Sequence, residues 1–107
     1  MTLDNILTKH GIEQPRGGSQ VGDGWLPLID KLCADLVAAG WDRCCEQVKE
    51  KFGGLRFYIR NGDTHLRYLI DQAERKSFTI CETCGEPGSL RTNTWWKTAC
   101  EKHARKE

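Results

Sequence analysis

No apolar run in the sequence approaches the roughly 20 residues that a membrane helix needs, which excludes a helical transmembrane span. Charge of one sign is not in excess either. Sixteen Lys and Arg stand against 15 Asp and Glu, a net charge of +1. A general coat for nucleic acid depends on many cationic contacts to phosphate, so this balance argues against one. The opening MTLDNILTKHGIEQ lacks the basic head and long apolar stretch of a secretory signal, and the expected location is the cytoplasm. Repeats and low-complexity stretches are absent, and only 3 histidines are present, which limits what catalysis can use.

What is abundant for 107 residues is cysteine, with 6, and glycine, with 11. In a reducing compartment such a cysteine count reads as metal ligands plus free thiols before it reads as disulfides. The length suits one domain, large enough for a core yet small enough for a metal staple to matter.

The expected fold class is α+β. Residues 3–10 form a short helix stopped by Gly11, followed by a flexible Gly- and Pro-containing connector to residue 24. A stronger helix is expected at 26–39, with Pro27 in its first turn, apolar pairs recurring every four residues, and Gly40 as its stop. Cys33 lies on that apolar stripe and is read as a small buried hydrophobe. Leu55, Phe57 and Ile59 alternate with Arg56, Tyr58 and Arg60, the period-two signature of a strand with one buried face. Residues 44–50 and 54–60 then make a hairpin, and Asp63 or Thr64 caps a helix over 64–76. Residues 1–24 are thus a helix and connector, 25–80 an α/β-hairpin/α core, and 81–107 a finger packed on that core.

The finger carries the clearest chemical signal. Cys81-x-x-Cys84 followed by Gly85 has the form of a metal knuckle, and Cys100-x-x-His103 supplies a second pair after 15 intervening residues. Three thiolates and an imidazole suit tetrahedral Zn²⁺, one per chain, and a closed shell of four protein ligands makes the site structural. The segment between the pairs reads as a short hairpin, and ACEKHARKE as a helix beginning at the second pair. Knuckle, hairpin and ligand-bearing helix describe a treble clef, with a zinc ribbon as the near alternative. A nuclease of the His-Asn-His type would need a further catalytic metal, for which only His10 and His65 remain. A thioredoxin-like use of Cys81 and Cys84 is disfavoured because Gly85 to Gly88 continue as a turn where that motif enters a helix. No catalytic residue is assigned, and Cys44 and Cys45 are read as structural.

Two clusters are candidates for binding. Lys49, Lys51, Arg56 and Arg60, with Phe52, Phe57 and Tyr58 between them, form a basic and aromatic hairpin opposed in that stretch by Glu50 alone, and Tyr58 is taken with the four cations as a candidate contact. The hairpin suits either a solvated face or a surface for nucleic acid or an acidic protein. Trp95 and Trp96 are adjacent, so on a strand they point to opposite faces. The expectation is that one packs on the ligand turn and the other on the N-terminal helices. An exposed one would instead offer an anchor for a partner.

GDGWLPLIDKL at 22–32, QVKEKFGGLRFYI at 47–59, Ala73-Glu74, and CETCGEPG with Cys100-x-x-His103 together resemble a family of small, largely uncharacterised proteins encoded by bacteriophages and prophages. The likeness runs over roughly residues 22 to 104. It implies a phage or prophage origin and a metal-bound C-terminus, and it brings no catalytic residue or substrate. The expected activity is non-enzymatic binding of a host protein, for example a defence component, with nucleic-acid binding through the basic hairpin and finger as the alternative.

Overall fold

A computed structural model describes residues 1–104; the last three residues expected in the finger, 105–107, lie outside the described residues. It is an α+β fold with three α-helices and two small sheets. Among the described residues no helix is long and apolar enough to cross a membrane.

Helix α1 spans Leu3–Lys9, capped by a reciprocal pair in which the Thr2 hydroxyl accepts from the Asn5 N–H and the Asn5 side chain accepts from the Thr2 N–H. Such a pair satisfies two amide donors that a helix start otherwise leaves without partners. Helix α2 spans Leu26–Ala38 with Pro27 in its first turn. It ends where Gly40 takes a φ of +91°, letting the Gly40 and Trp41 amides return to the carbonyls of Val37 and Leu36. Helix α3, Thr64–Ser77, is capped by the Asp63 carboxylate, which accepts from the Leu66 N–H at 2.9 Å.

The hairpin consists of β2, Cys45–Lys51, and β3, Gly54–Ile59. Its two turn residues, Phe52 and Gly53, both have positive φ, 53° and 85°. This is the mirror-image turn whose twist matches that of paired strands. A register shift between Cys45 and Gln47 explains why the first arm alternates poorly in sequence. Val48, Leu55, Phe57 and Ile59 face inward and join Ile6, Leu7, Trp25, Ile29, Leu32 and Leu36 in one core. Lys49 pairs with Arg56 and Gln47 with Tyr58 in the register, so these four share the outer face of the sheet.

The connector expected to be a flexible link is tied into the sheet. Ser19–Gln20 form β1, parallel to Val48 and Lys49, and the Gln47 side-chain Nε2 donates to the Gly17 carbonyl at 2.7 Å. Two residues are too few for a periodic signal, and this strand exists only because β2 offers it a free edge.

Cys33 is fully buried, and burial pushes its thiol up to about 12; Cys45 is raised to about 12 for the same reason. An acid group with a raised folded-state pKa contributes stability that is whole below its unfolded-state pKa and fades as pH rises through the folded value. Stability should therefore decline from about pH 9 toward 12. In Cys33→Ala this alkaline decline should be shallower, measured as denaturation midpoints between pH 8 and pH 11. Parallel curves for the two proteins would remove Cys33 as a cause.

Candidate metal centre and binding cleft

Cys81 to Cys84 form a tight turn in which the Gly85 amide returns to the Cys81 carbonyl at 2.9 Å and Gly85 takes a φ of +84°. A side chain there would be strained, which is why the knuckle ends in glycine. Strands β4, Ser89–Arg91, and β5, Lys97–Ala99, pair antiparallel and deliver Cys100 beside the knuckle. A single 3₁₀ turn, Glu101–His103, then swings His103 back toward it.

The donor atoms of Cys81, Cys84, Cys100 and His103 all lie within 4.8 Å of one another. Cys84 Sγ and Cys100 Sγ are 3.7 Å apart, and His103 Nδ1 is 3.7 Å from Cys81 Sγ and 3.2 Å from Cys100 Sγ. These four residues are a candidate metal site. Burial works against a Cys81 thiolate, but hydrogen bonds from the Cys100, Cys84 and Thr83 amides outweigh it and bring the thiol down to about 6. The backbone is thus arranged to receive an anionic sulfur, the form in which cysteine ligates a metal.

The second ligand pair does not begin an α-helix among the described residues, contrary to expectation. After the 3₁₀ turn the chain is already extended at Ala104. The cluster therefore rests on a knuckle, a hairpin and one turn.

The finger is seated on three glycines of the core, Gly22, Gly24 and Gly53, that composition alone marks only as turns. The Gly24 amide donates to the Glu82 carbonyl at 2.7 Å, the Gly22 amide to the Glu82 carboxylate at 2.9 Å, and Trp25 Nε1 to the Ile80 carbonyl at 2.9 Å. On the other side the buried Thr98 hydroxyl donates to the Gly53 carbonyl at 2.6 Å. A Cβ on Gly53 would meet Leu90 Cδ1 of the finger, whereas one on Gly54 would meet the Phe78 ring at the end of α3. The absent side chain of Gly53 allows the finger hairpin to approach the turn of the β2–β3 hairpin.

That approach creates a cleft of about 850 Å³ between the outer face of the β2–β3 hairpin and the tip of the β4–β5 hairpin. Lys49, Lys51, Arg56, Trp95 and Trp96 all line it. Neither tryptophan packs as expected. Residues 92–96 form the hairpin tip and not a strand, so strand alternation does not apply; Trp95 is 70% exposed and Trp96 48%. Tyr58 and Arg60 lie elsewhere: Tyr58 lines a small groove beside α3, and Arg60 pairs with Glu46 at 3.0 Å near Trp41. Phe52, interleaved with these cations in sequence but not itself taken as a site residue, belongs to the cleft. It stands edge-to-face with Trp96 at 6.2 Å and lies beneath the Lys51 ammonium at 5.7 Å. An exposed aromatic at the tip of a two-residue turn is the signal that would have marked it.

Searches of known protein families, curated proteins and solved structures give no match to the chain. Fold and site alone define a small α+β protein with a Cys₃His candidate metal site beside an aromatic cleft.

Proposed function

We propose that this is a phage- or prophage-encoded protein of the host cytoplasm that holds one structural Zn²⁺ and acts without catalysis, by binding a host protein. The donor spacing supports zinc. Two thiolates about 2.3 Å from one tetrahedral zinc stand about 3.8 Å apart, and a thiolate and an imidazole nitrogen about 3.5 Å. The corresponding separations are 3.7 Å for the Cys84 and Cys100 sulfurs and 3.2 and 3.7 Å from His103 Nδ1 to the Cys100 and Cys81 sulfurs, with all four donors within 4.8 Å of one another. Cys81, Cys84, Cys100 and His103 would hold the ion, which contributes folding energy and, with four protein ligands, has no open position for a substrate.

The observation that carries the binding reading is the convergence of two exposed tryptophans with Lys49, Lys51 and Arg56 around one cleft. Exposed Trp and Arg are the residues that dominate protein interface energetics.

Tagged, zinc-loaded protein captured from nuclease-treated bacterial cells is expected to retain a stoichiometric host protein. The Trp95→Ala/Trp96→Ala double variant should lose that protein while keeping its metal content. Recovery of nucleic acid alone from untreated cells, or capture indifferent to the double variant, would sink this reading.

A further inference from the structure

We infer that the cleft between the two hairpins receives an acidic peptide segment of the partner, with one large apolar side chain inserted between the tryptophan tip and the hairpin face. The inference rests on the protein-binding reading and adds to it the site and the chemistry of the occupant.

The cationic wall is real and only weakly opposed. Lys49, Lys51 and Arg56 share the outer face of the sheet, and among the described residues the cleft holds one carboxylate, that of Glu50. That carboxylate already accepts from the Gly53 amide at 2.7 Å. Arg56 carries the strongest signal. Its Nε is buried and lacks a hydrogen-bond partner among the described residues. Buried donors are nearly always satisfied, and an arginine fork is matched by a carboxylate or phosphate that can take two parallel hydrogen bonds. Arg56 lines both the cleft and the groove beside α3 that holds Asp71 and Glu74, so an anion entering the cleft would meet a guanidinium with hydrogen-bonding capacity to spare.

The apolar wall decides between a peptide and a nucleic-acid strand. Bases bind by stacking on free ring faces. Phe52 is poorly placed for this, because Lys51 lies over its ring and Trp96 meets it at an interplanar angle of 69°. Phe52 and Trp96 therefore do not form parallel platforms for successive bases. Phe78 and Leu90 add further apolar lining around the tryptophans, a setting suited to a side chain that enters between them. Three cations on a chain of net charge +1 supply few phosphate contacts, whereas two or three carboxylates flanking an apolar anchor match them.

The test is selection of a random 12-residue peptide display library on zinc-loaded full-length protein, with Arg56→Gln and Trp96→Ala proteins as counter-targets. Enriched peptides are expected to combine Asp or Glu with a central Phe, Leu or Trp. Their synthetic forms should bind at least tenfold more weakly to each variant, with metal content and thermal unfolding of the variants unchanged. Peptides enriched without acidic residues, no enrichment at all, or affinities indifferent to both variants would overturn the inference. The host-protein reading would still stand if cell capture depended on Trp95 and Trp96. Displacement of the peptide by single-stranded oligothymidylate of 12 nucleotides, with a steep salt dependence, would overturn both in favour of nucleic acid.

Discussion

Cys84→Ser is expected to abolish stoichiometric metal binding and to open the C-terminal quarter of the chain to protease, while the helices and the β2–β3 hairpin stay folded. The reason lies in how little else holds the finger together. Among the described residues from Cys81 onward, the fully shielded side chains are those of Cys81, Thr98 and Ala99, and the two strands are three residues each. A two-stranded hairpin of this size is marginal by itself in water. Binding free energy at a structural zinc site in isolated finger peptides is about 10–16 kcal/mol, far more than such a hairpin can supply, so an ion held by these four residues would act as the finger's core. Replacing one thiolate removes a ligand and leaves an incomplete shell around the others. Trypsin is the direct probe, because Arg91, Lys97 and Lys102 all lie in the finger. Rapid cleavage at these three sites, in the variant and in chelator-treated wild type alike, is the expected result. Resistance unchanged from wild type would show that no metal staples the finger.

The parts of this molecule that could be read in advance are those whose signal is local. The apolar rhythm of α2, the Asp63 cap, the alternation of Leu55, Phe57 and Ile59, and the spacing of the Cys and His pairs each depend on neighbours within a few positions. What escaped was set by distant partners. β1 forms because Gly17 and Ser19 meet β2 some 30 residues later in the chain, as the Gln47 to Gly17 hydrogen bond shows. Opposite faces for the adjacent tryptophans follow only if they lie in an arm of the short hairpin, yet hairpin closure puts them at its tip. The role of GDGW and of Gly53 as seats for the finger depends on which segment comes near them, and a glycine in sequence does not say what occupies the space its side chain leaves.

One consequence links the metal site to the cleft. Trp95, Trp96 and Leu90 belong to the finger hairpin, whereas Lys49, Lys51 and Arg56 belong to the core sheet. The two walls keep their distance only while the finger is both internally stapled and correctly seated. If the proposed reading holds, loss of the metal and loss of the seat should both weaken binding of the proposed partner, but they should differ in what remains bound to the four ligands.

Gly24→Ala isolates the seat. A Cβ built on Gly24 would stand 2.1 Å from the Cys81 carbonyl oxygen, 2.5 Å from the Gly85 nitrogen and 2.7 Å from the Glu82 carbonyl oxygen. All three are backbone atoms of the knuckle, so no side chain can rotate away to make room. Overpacking of this kind costs typically about 1–3 kcal/mol and occasionally more, and contacts this short belong at the upper end. For a domain of this size, 1 kcal/mol shifts the melting temperature by about 4–8 °C, so a fall of more than about 10 °C is expected. Gly18→Ala is the comparison: its φ is +96° and nothing lies within 4 Å of the added carbon, leaving only the left-handed backbone to resist, at about 1–2 kcal/mol. Because Gly24 ligates nothing, the Gly24→Ala protein should keep about one metal ion per chain, unlike Cys84→Ser, while its finger becomes accessible to trypsin. A melting temperature matching that of Gly18→Ala would show that the knuckle does not rest on Gly24, and loss of metal from Gly24→Ala would show that seat and staple are a single structural unit.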